Sequence, residues 1–335
     1  MKAANYLRLA AARAGSWCCF GAAVACSGEP LTPALEEPIR VQGAQFREGT
    51  LPGRPPLTLE EIKAGVSPSA PSIASFDLGN AFIPRGEPSR RFAGRTTQDA
   101  VALGVQFAEL GTGYWVIPTG SADVINDGQL LWSFNAAFAR NAPAGRHTLL
   151  FSAIDSAGRA GTQTAVELCL ESEVPDNGNA CRPSVAPPAL VVSLSWDAPV
   201  DLDLVVISPG GNVTDAKHPS TALPDDKGKV DTSTPGTGVL DRDSNASCVI
   251  DSRQRENLVF QDLPPSGTYL VYANLFDACG ERGVAFDVSL HNATSGVEPD
   301  TLALVQTYRQ SGSLQAVHAN GGSKLGLFVT QFIVP

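Results

Sequence analysis

The chain is poor in charge and in aromatic rings: 17% of its 335 residues are Asp, Glu, Lys or Arg, and 7% are Phe, Trp or Tyr. The charge it has is mostly negative, with 24 Lys and Arg against 34 Asp and Glu and a formal net charge of −10. That balance argues against a nucleic-acid partner, because neutralising phosphates takes clustered Lys and Arg. The shortage of aromatics argues against a broad sugar-stacking groove. Beyond residue 30 there is no run of about 18 apolar residues, the length a membrane-spanning helix needs. Enzyme signatures are missing too. None of the four histidines, His147, His218, His291 and His318, belongs to a His-Glu-x-x-His zinc motif. The sequence has no Gly-x-Ser-x-Gly elbow, no Ser-x-x-Lys and no Gly-x-x-x-x-Gly-Lys phosphate loop. The expectation is therefore a protein that is not an enzyme.

Glycine (32), proline (25) and cysteine (7) are the residues that organise the rest. Residues 2 to 13 carry Lys2, Arg8 and Arg13 with no acid, and a short apolar run follows from Ala14 to Ala25. A basic segment, a short apolar segment and small residues at the boundary predict an export signal over 1–25. The boundary itself reads Ala23-Val24-Ala25-Cys26. This tetrapeptide resembles the lipobox of bacterial lipoproteins, which implies that Cys26 becomes the lipid-bearing N-terminus and attaches the protein to a membrane. Ser27 after it suits outer-membrane sorting in a Gram-negative cell, so the expected location is the outer membrane or cell surface. The other reading is an ordinary cleaved signal that leaves Cys26 as a free thiol.

Residues 26–71 are rich in proline and lack sustained periodicity, which predicts an extended tether. Within it Thr58 to Ala64 fits one helical turn capped by Thr58. From 72 to 173 short β-type segments alternate with turns. Val101, Leu103, Val105 and Phe107 fall on one face, followed by segments at Tyr114–Ile117, Leu130–Phe138, His147–Ile154 and Thr162–Leu170. The run from Pro143 to Leu170 resembles the closing hairpin of bacterial immunoglobulin-like domains, which implies a spacer or adhesive β-sandwich. Residues 174–188 read as a linker.

The second unit, 189–335, is again all-β in pattern: Leu190, Val192, Leu194 and Trp196 alternate, as do Leu202, Leu204 and Val206, then Tyr269, Val271, Ala273 and Leu275. The fold class expected is all-β, two consecutive β-sandwich domains behind the signal and the tether. Between Asn212 and Ser247 lies a long polar stretch with few apolar residues, of the kind that is functional or mobile inside a compact domain. Four cysteines remain beyond Cys26. A Cys169–Cys181 bridge would close about a dozen residues and contribute roughly 3 kcal/mol, and a Cys248–Cys279 bridge about 30 residues and about 4 kcal/mol. An even count of this kind fits an oxidising compartment.

The sharpest local feature is acidic. Asp201 and Asp203 flank Leu202 in a strand, so both carboxylates fall on one side about 7 Å apart. Asp241, Asp243 and Asn245 repeat the spacing. If the two clusters meet, they offer calcium the hard oxygen ligands it prefers. The competing reading is structural, with Asp side chains capping turns or standing in water beside Arg242. The run WDAPVDLDLVVISPGGN, with Leu240-Asp241-x-Asp243, Glu256-Asn257 and Gly267-Thr268-Tyr269 further on, resembles the YfaP-like domain family of exported bacterial proteins. The Asp-Leu-Asp-Leu strand also resembles prepeptidase C-terminal domains. Neither resemblance implies a catalytic residue. Together these readings give an exported, lipid-anchored, non-catalytic binding or structural protein of the cell envelope, stabilised by calcium, with an unidentified protein or glycan partner. Two alternatives stay open: an accessory carbohydrate- or protease-associated module, and a hydrolase whose site, such as a carboxylate pair, goes unrecognised.

Overall fold

The structure is a computed structural model that describes Ala34, residues 36–297 and residues 299–335. The signal expected over 1–25, and Cys26, expected to bear the lipid, lie outside the described residues.

The fold is all-β. The first ten strands are β1 (Ile39–Val41), β2 (Gln45–Glu48), β3 (Ile73–Asp77), β4 (Phe82–Ile83), β5 (Arg90–Thr97), β6 (Ala100–Phe107), β7 (Gly113–Pro118), β8 (Gln129–Phe138), β9 (Gly145–Asp155) and β10 (Thr164–Leu170), with one short helix, α1 (Leu59–Lys63), between β2 and β3. They make a four-stranded sheet in the order β1-β8-β5-β3 and a six-stranded sheet in the order β2-β7-β6-β9-β10-β4. One apolar core, centred on Phe92, Leu103, Val105, Trp132, Phe134 and Phe151, lies within these strands. Nearly every pairing is antiparallel; β10 with β4 is parallel.

Residues read as tether belong to this fold. Strand β1 pairs with β8, and β2 with β7. Ile39, Val41 and Leu51 are buried, and the Trp115 Nε1–H donates to the Ile39 carbonyl at 3.0 Å. Glu37 is also buried, accepting from the Thr112 N–H and hydroxyl at 2.8 and 2.7 Å. Isolated apolar residues scattered among prolines carry no readable period, yet Ile39 and Val41 complete the edge strand β1 and Leu51 packs over Gly104 of β6. The helical turn is as expected: Thr58 caps α1 and Glu61 reaches back to its backbone, a reciprocal capping box. Along β6, Leu103, Val105 and Phe107 enter the core, but Val101 is 49% exposed. An irregularity in the β6–β9 register between Ala100 and Ala102 turns Val101 outward.

The remaining strands are β11 (Leu190–Trp196), β12 (Asp201–Ile207), β13 (Val213–Thr214), β14 (Gly238–Leu240), β15 (Arg255–Phe260), β16 (Gly267–Asp277), β17 (Gly283–Ser295), β18 (Leu302–Gln315) and β19 (Leu327–Val334). A five-stranded sheet, β14-β15-β11-β17-β18, faces a four-stranded one, β13-β12-β16-β19. The central strand β11 is covered on both sides: Val191 and Ser193 are buried along with Leu190, Val192 and Leu194. The long polar stretch from Asn212 to Ser247 is not featureless, since it holds β13 and β14. Both expected disulfides are present, Cys169–Cys181 with Cα atoms 5.8 Å apart and Cys248–Cys279 with Cα atoms 5.5 Å apart. Among the described residues no helix is long and apolar enough to cross a membrane.

Candidate functional site

Strand β12 sorts its side chains by alternation. Leu202, Leu204 and Val206 enter the core between the sheets, so Asp201, Asp203 and Val205 point to the outer face of the four-stranded sheet. An outer face is normally wet, yet Asp201 is 2% and Asp203 6% exposed. Three segments roof it over: Asp215–Lys217, Asp243–Ser247 and Gly322–Leu325. Together they enclose a cavity of about 440 Å³ above the two carboxylates.

The roof is held by specific bonds. The Ser247 N–H donates to Asp201 Oδ2 at 2.6 Å. Beside it, Cys248 is bridged to Cys279 just beyond β16, which ties this turn to the sheet. Five non-glycine residues of the segment, Asn245, Ser247, Cys248, Ser252 and Gln254, have positive φ, a conformation seldom adopted without compensating contacts. On β16, Asn274 lies opposite Asp203 in the ladder. Its Nδ2–H donates to Asp203 Oδ2 at 3.2 Å, and its own Oδ1 accepts from Asn320 at 2.6 Å.

One oxygen each from Asp201, Asp203 and Asp243 lies within 4.8 Å of the others. Two oxygens bound to a single calcium at about 2.4 Å are at most about 4.8 Å apart, so these three fit one ion. Asp201 Oδ1 is buried and has no hydrogen-bond partner among the described residues. Such an atom costs free energy unless something positive meets it.

Electrostatics follow from the burial. Removal from water pushes the Asp203 carboxyl up to about 7, with the neighbouring Asp201 charge adding to the effect. Desolvation first, and then the charges of Asp243 and Asp277, raise Asp201 to about 6 against the opposing Ser247 N–H bond. Asp243 is raised as well, by desolvation first and then by Asp251.

Two expected members of the cluster are elsewhere. Asp241 accepts from the Asn257 N–H at 2.8 Å and from Asn257 Nδ2 at 2.9 Å, and pairs with Arg242, so it extends the pairing of β14 with β15. Asn245 is buried with its amide donating to the Val200 carbonyl at 2.9 Å and its oxygen accepting from the Asp251 N–H at 3.0 Å. Their i, i+2 spacing would align them with Asp243 only in an extended segment; the chain instead makes a tight turn with a left-handed Asn245.

Two further polar residues have a part that spacing alone does not assign them. Asn274 sits in an apolar alternation, and only its pairing opposite Asp203 gives it meaning. Glu256, fully buried on β15, crosses between the sheets: Oε2 accepts from the Leu204 N–H at 2.7 Å and Oε1 from the Ser244 N–H at 3.1 Å. It occupies the side of β12 that the two-residue β13 leaves unpaired. Burial drives its carboxyl well above the ordinary range. An acid inside the strand Arg255–Phe260 was the available signal.

The histidines stay out of this cavity. His218 stands on the exposed side of Asp215, Nδ1 to Oδ1 3.2 Å, in the turn that Asp215 caps. His147 packs edge-on against Phe107, and His291 is partly buried beside Ser289.

No protein-family profile matches the chain, and no curated protein does. Among solved structures, the C-terminal domain of the Streptococcus agalactiae AgI/II polypeptide BspA aligns at 8% identity and a TM-score of 0.23, covering 73% of this chain and 98% of that one. A second structure of the BspA C-terminal region aligns at 9% identity and a TM-score of 0.21 over the same shares. The dimeric latent PorU of Porphyromonas gingivalis aligns at 13% identity and a TM-score of 0.19, covering 78% of this chain and 21% of PorU. Likeness at these scores says nothing of what this chain binds or does.

Proposed function

We propose that this chain is an exported, lipid-anchored, non-catalytic binding or structural protein of the cell envelope, and that its second sandwich binds calcium through Asp201, Asp203 and Asp243. The observation that carries the metal reading is the partnerless, buried Asp201 Oδ1 beside two further carboxylates within reach of one ion. Hard oxygen donors on a loop-built roof suit calcium, which tolerates irregular geometry with six to eight ligands, better than magnesium, which demands a near-octahedral set. Export is supported by the two disulfides, which persist in oxidising compartments. Lipid attachment rests on the sequence around Cys26.

Two measurements test this. Melting of the purified protein in calcium and in chelator reads the metal site: an upward shift in calcium, absent in Asp201→Ala, is expected, and no shift removes the site. Mass spectrometry of membrane-extracted protein reads the anchor: an acylated N-terminal Cys26 is expected, and a chain beginning at Met1 or at an unmodified residue removes it.

A further inference from the structure

Calcium at this site would not be fully enclosed by protein. Three carboxylates supply three to six oxygens, and calcium takes six to eight. The open positions face the cavity of about 440 Å³, within the range that holds a small ligand. The walls of that cavity are not uniform. Phe276 lines one side, and along the same outer face Tyr272 meets Phe328 edge to face with ring centroids 5.4 Å apart. Tyr272 lies opposite Val205 in the ladder, which places this aromatic pair next to the cavity floor. Lys217 and Lys324, both exposed, also line the cavity, and neither forms a salt bridge among the described residues.

Charge decides which ligand fits. Four carboxylates, Asp201, Asp203, Asp215 and Asp243, stand against two ammonium groups in the lining, an excess that a divalent ion cancels. Without the ion an anionic ligand is repelled; with it, an oxygen ligand completes the coordination while the lysines meet a second negative group. An aromatic wall suits the apolar face of a sugar ring. Building on the calcium reading, we infer that this cavity takes a uronic-acid sugar, with the sugar's oxygens on calcium, its carboxylate at Lys217 and Lys324, and its ring against Phe276.

The test uses the whole protein and two monosaccharide probes, methyl galacturonide and methyl galactoside, titrated by ligand-observed NMR in calcium and in chelator. Monosaccharides are chosen because uronic-acid polymers bind calcium by themselves. The uronide is expected to bind in calcium and not in chelator, and the neutral galactoside to bind more weakly. A Lys217→Ala/Lys324→Ala variant is expected to bind the uronide about fivefold more weakly, as two exposed charge contacts allow, while keeping the calcium melting shift. Phe276→Ala should weaken both probes. A calcium melting shift without uronide binding overturns the sugar inference and leaves the metal site standing. Equal binding of the two probes, or equal binding in chelator, also overturns it. No calcium shift at all overturns the metal site and the sugar inference with it.

Discussion

Replacing Asp203 by Asn separates a metal ligand from a structural aspartate, because the two roles predict opposite signs. The Asp203 carboxyl sits at about 7 in the fold, against about 3.9 for an exposed aspartate. Below about pH 4 it is protonated in the folded and unfolded chains alike and contributes nothing. As pH rises toward 7 the unfolded chain ionises freely while the folded one resists, so stability falls. A gap of about three pH units, at about 1.36 kcal/mol each, puts the full loss at about 4 kcal/mol above pH 7. Asparagine is isosteric, and its oxygen still accepts from Asn274. In chelator at pH 8 the Asp203→Asn protein is therefore expected to be the more stable of the two, by up to about 4 kcal/mol. For a sandwich of this size that is on the order of 10 °C in melting temperature. At pH 4 the two proteins should melt within about a degree or two of one another. Calcium works the other way: at roughly a thousandfold excess over its dissociation constant it adds about 4.1 kcal/mol to the native protein and little to the variant, enough to close the gap. Circular-dichroism melts from pH 4 to 8, in calcium and in chelator, read all of this. A variant that is less stable than the native protein in chelator at pH 8, and that still gains as much from calcium, would refute the reasoning.

Three further outcomes follow from the same contacts. Cys248→Ser with Cys279→Ser opens a loop of 31-residue separation and should lower stability by about 4 kcal/mol; it should also weaken calcium binding, since Ser247 loses its anchored neighbour, as denaturant melts and a calcium titration will show. Glu256→Ala leaves the Leu204 and Ser244 N–H groups buried without acceptors, at about 1–3 kcal/mol each, and Glu256→Gln should recover part of that loss in the same unfolding assay. Starting the chain after Leu51 strips β1 and β2 from both sheets and removes the acceptor of Trp115; limited proteolysis should then cleave the first sandwich rapidly, whereas loss of a mere tether would leave it resistant.

Much of this fold was legible because alternation is a local property. The apolar side chains of β11, β12 and β16 could be assigned to a buried face from sequence alone, and so could the cysteine pairs, since even numbers and short loops leave few alternatives. What failed was whatever depended on a residue's partner. Ile39 and Val41 looked like punctuation in a proline-rich stretch because the strand they complete, β8, lies far along the chain, Ile39 meeting Phe138. Val101 follows the alternation of its strand and is exposed anyway, since a register irregularity with β9 is invisible from one strand. Asp241, Asp243 and Asn245 share a spacing, but a left-handed turn at Asn245 sends only Asp243 to the cavity.

The acidic site shows why these failures concentrate where function is sought. The spacing of Asp201 and Asp203 puts both on one side of β12, yet a solvent-facing pair and a roofed pair read identically in sequence. The roof makes the difference, and it works against folding: it buries like charges, holds Asn245 and Ser247 at positive φ and leaves Asp201 Oδ1 without a donor among the described residues. A chain selected only for stability would replace Asp203 by a residue such as Val or Thr on that face. Retaining carboxylates there is explicable if a cation is part of the folded state, because the ion turns the repulsion between Asp201, Asp203 and Asp243 into the attraction that closes the roof. The repulsion and the proposed function then have one cause: each of the three carboxylates becomes a ligand once a divalent charge sits among them.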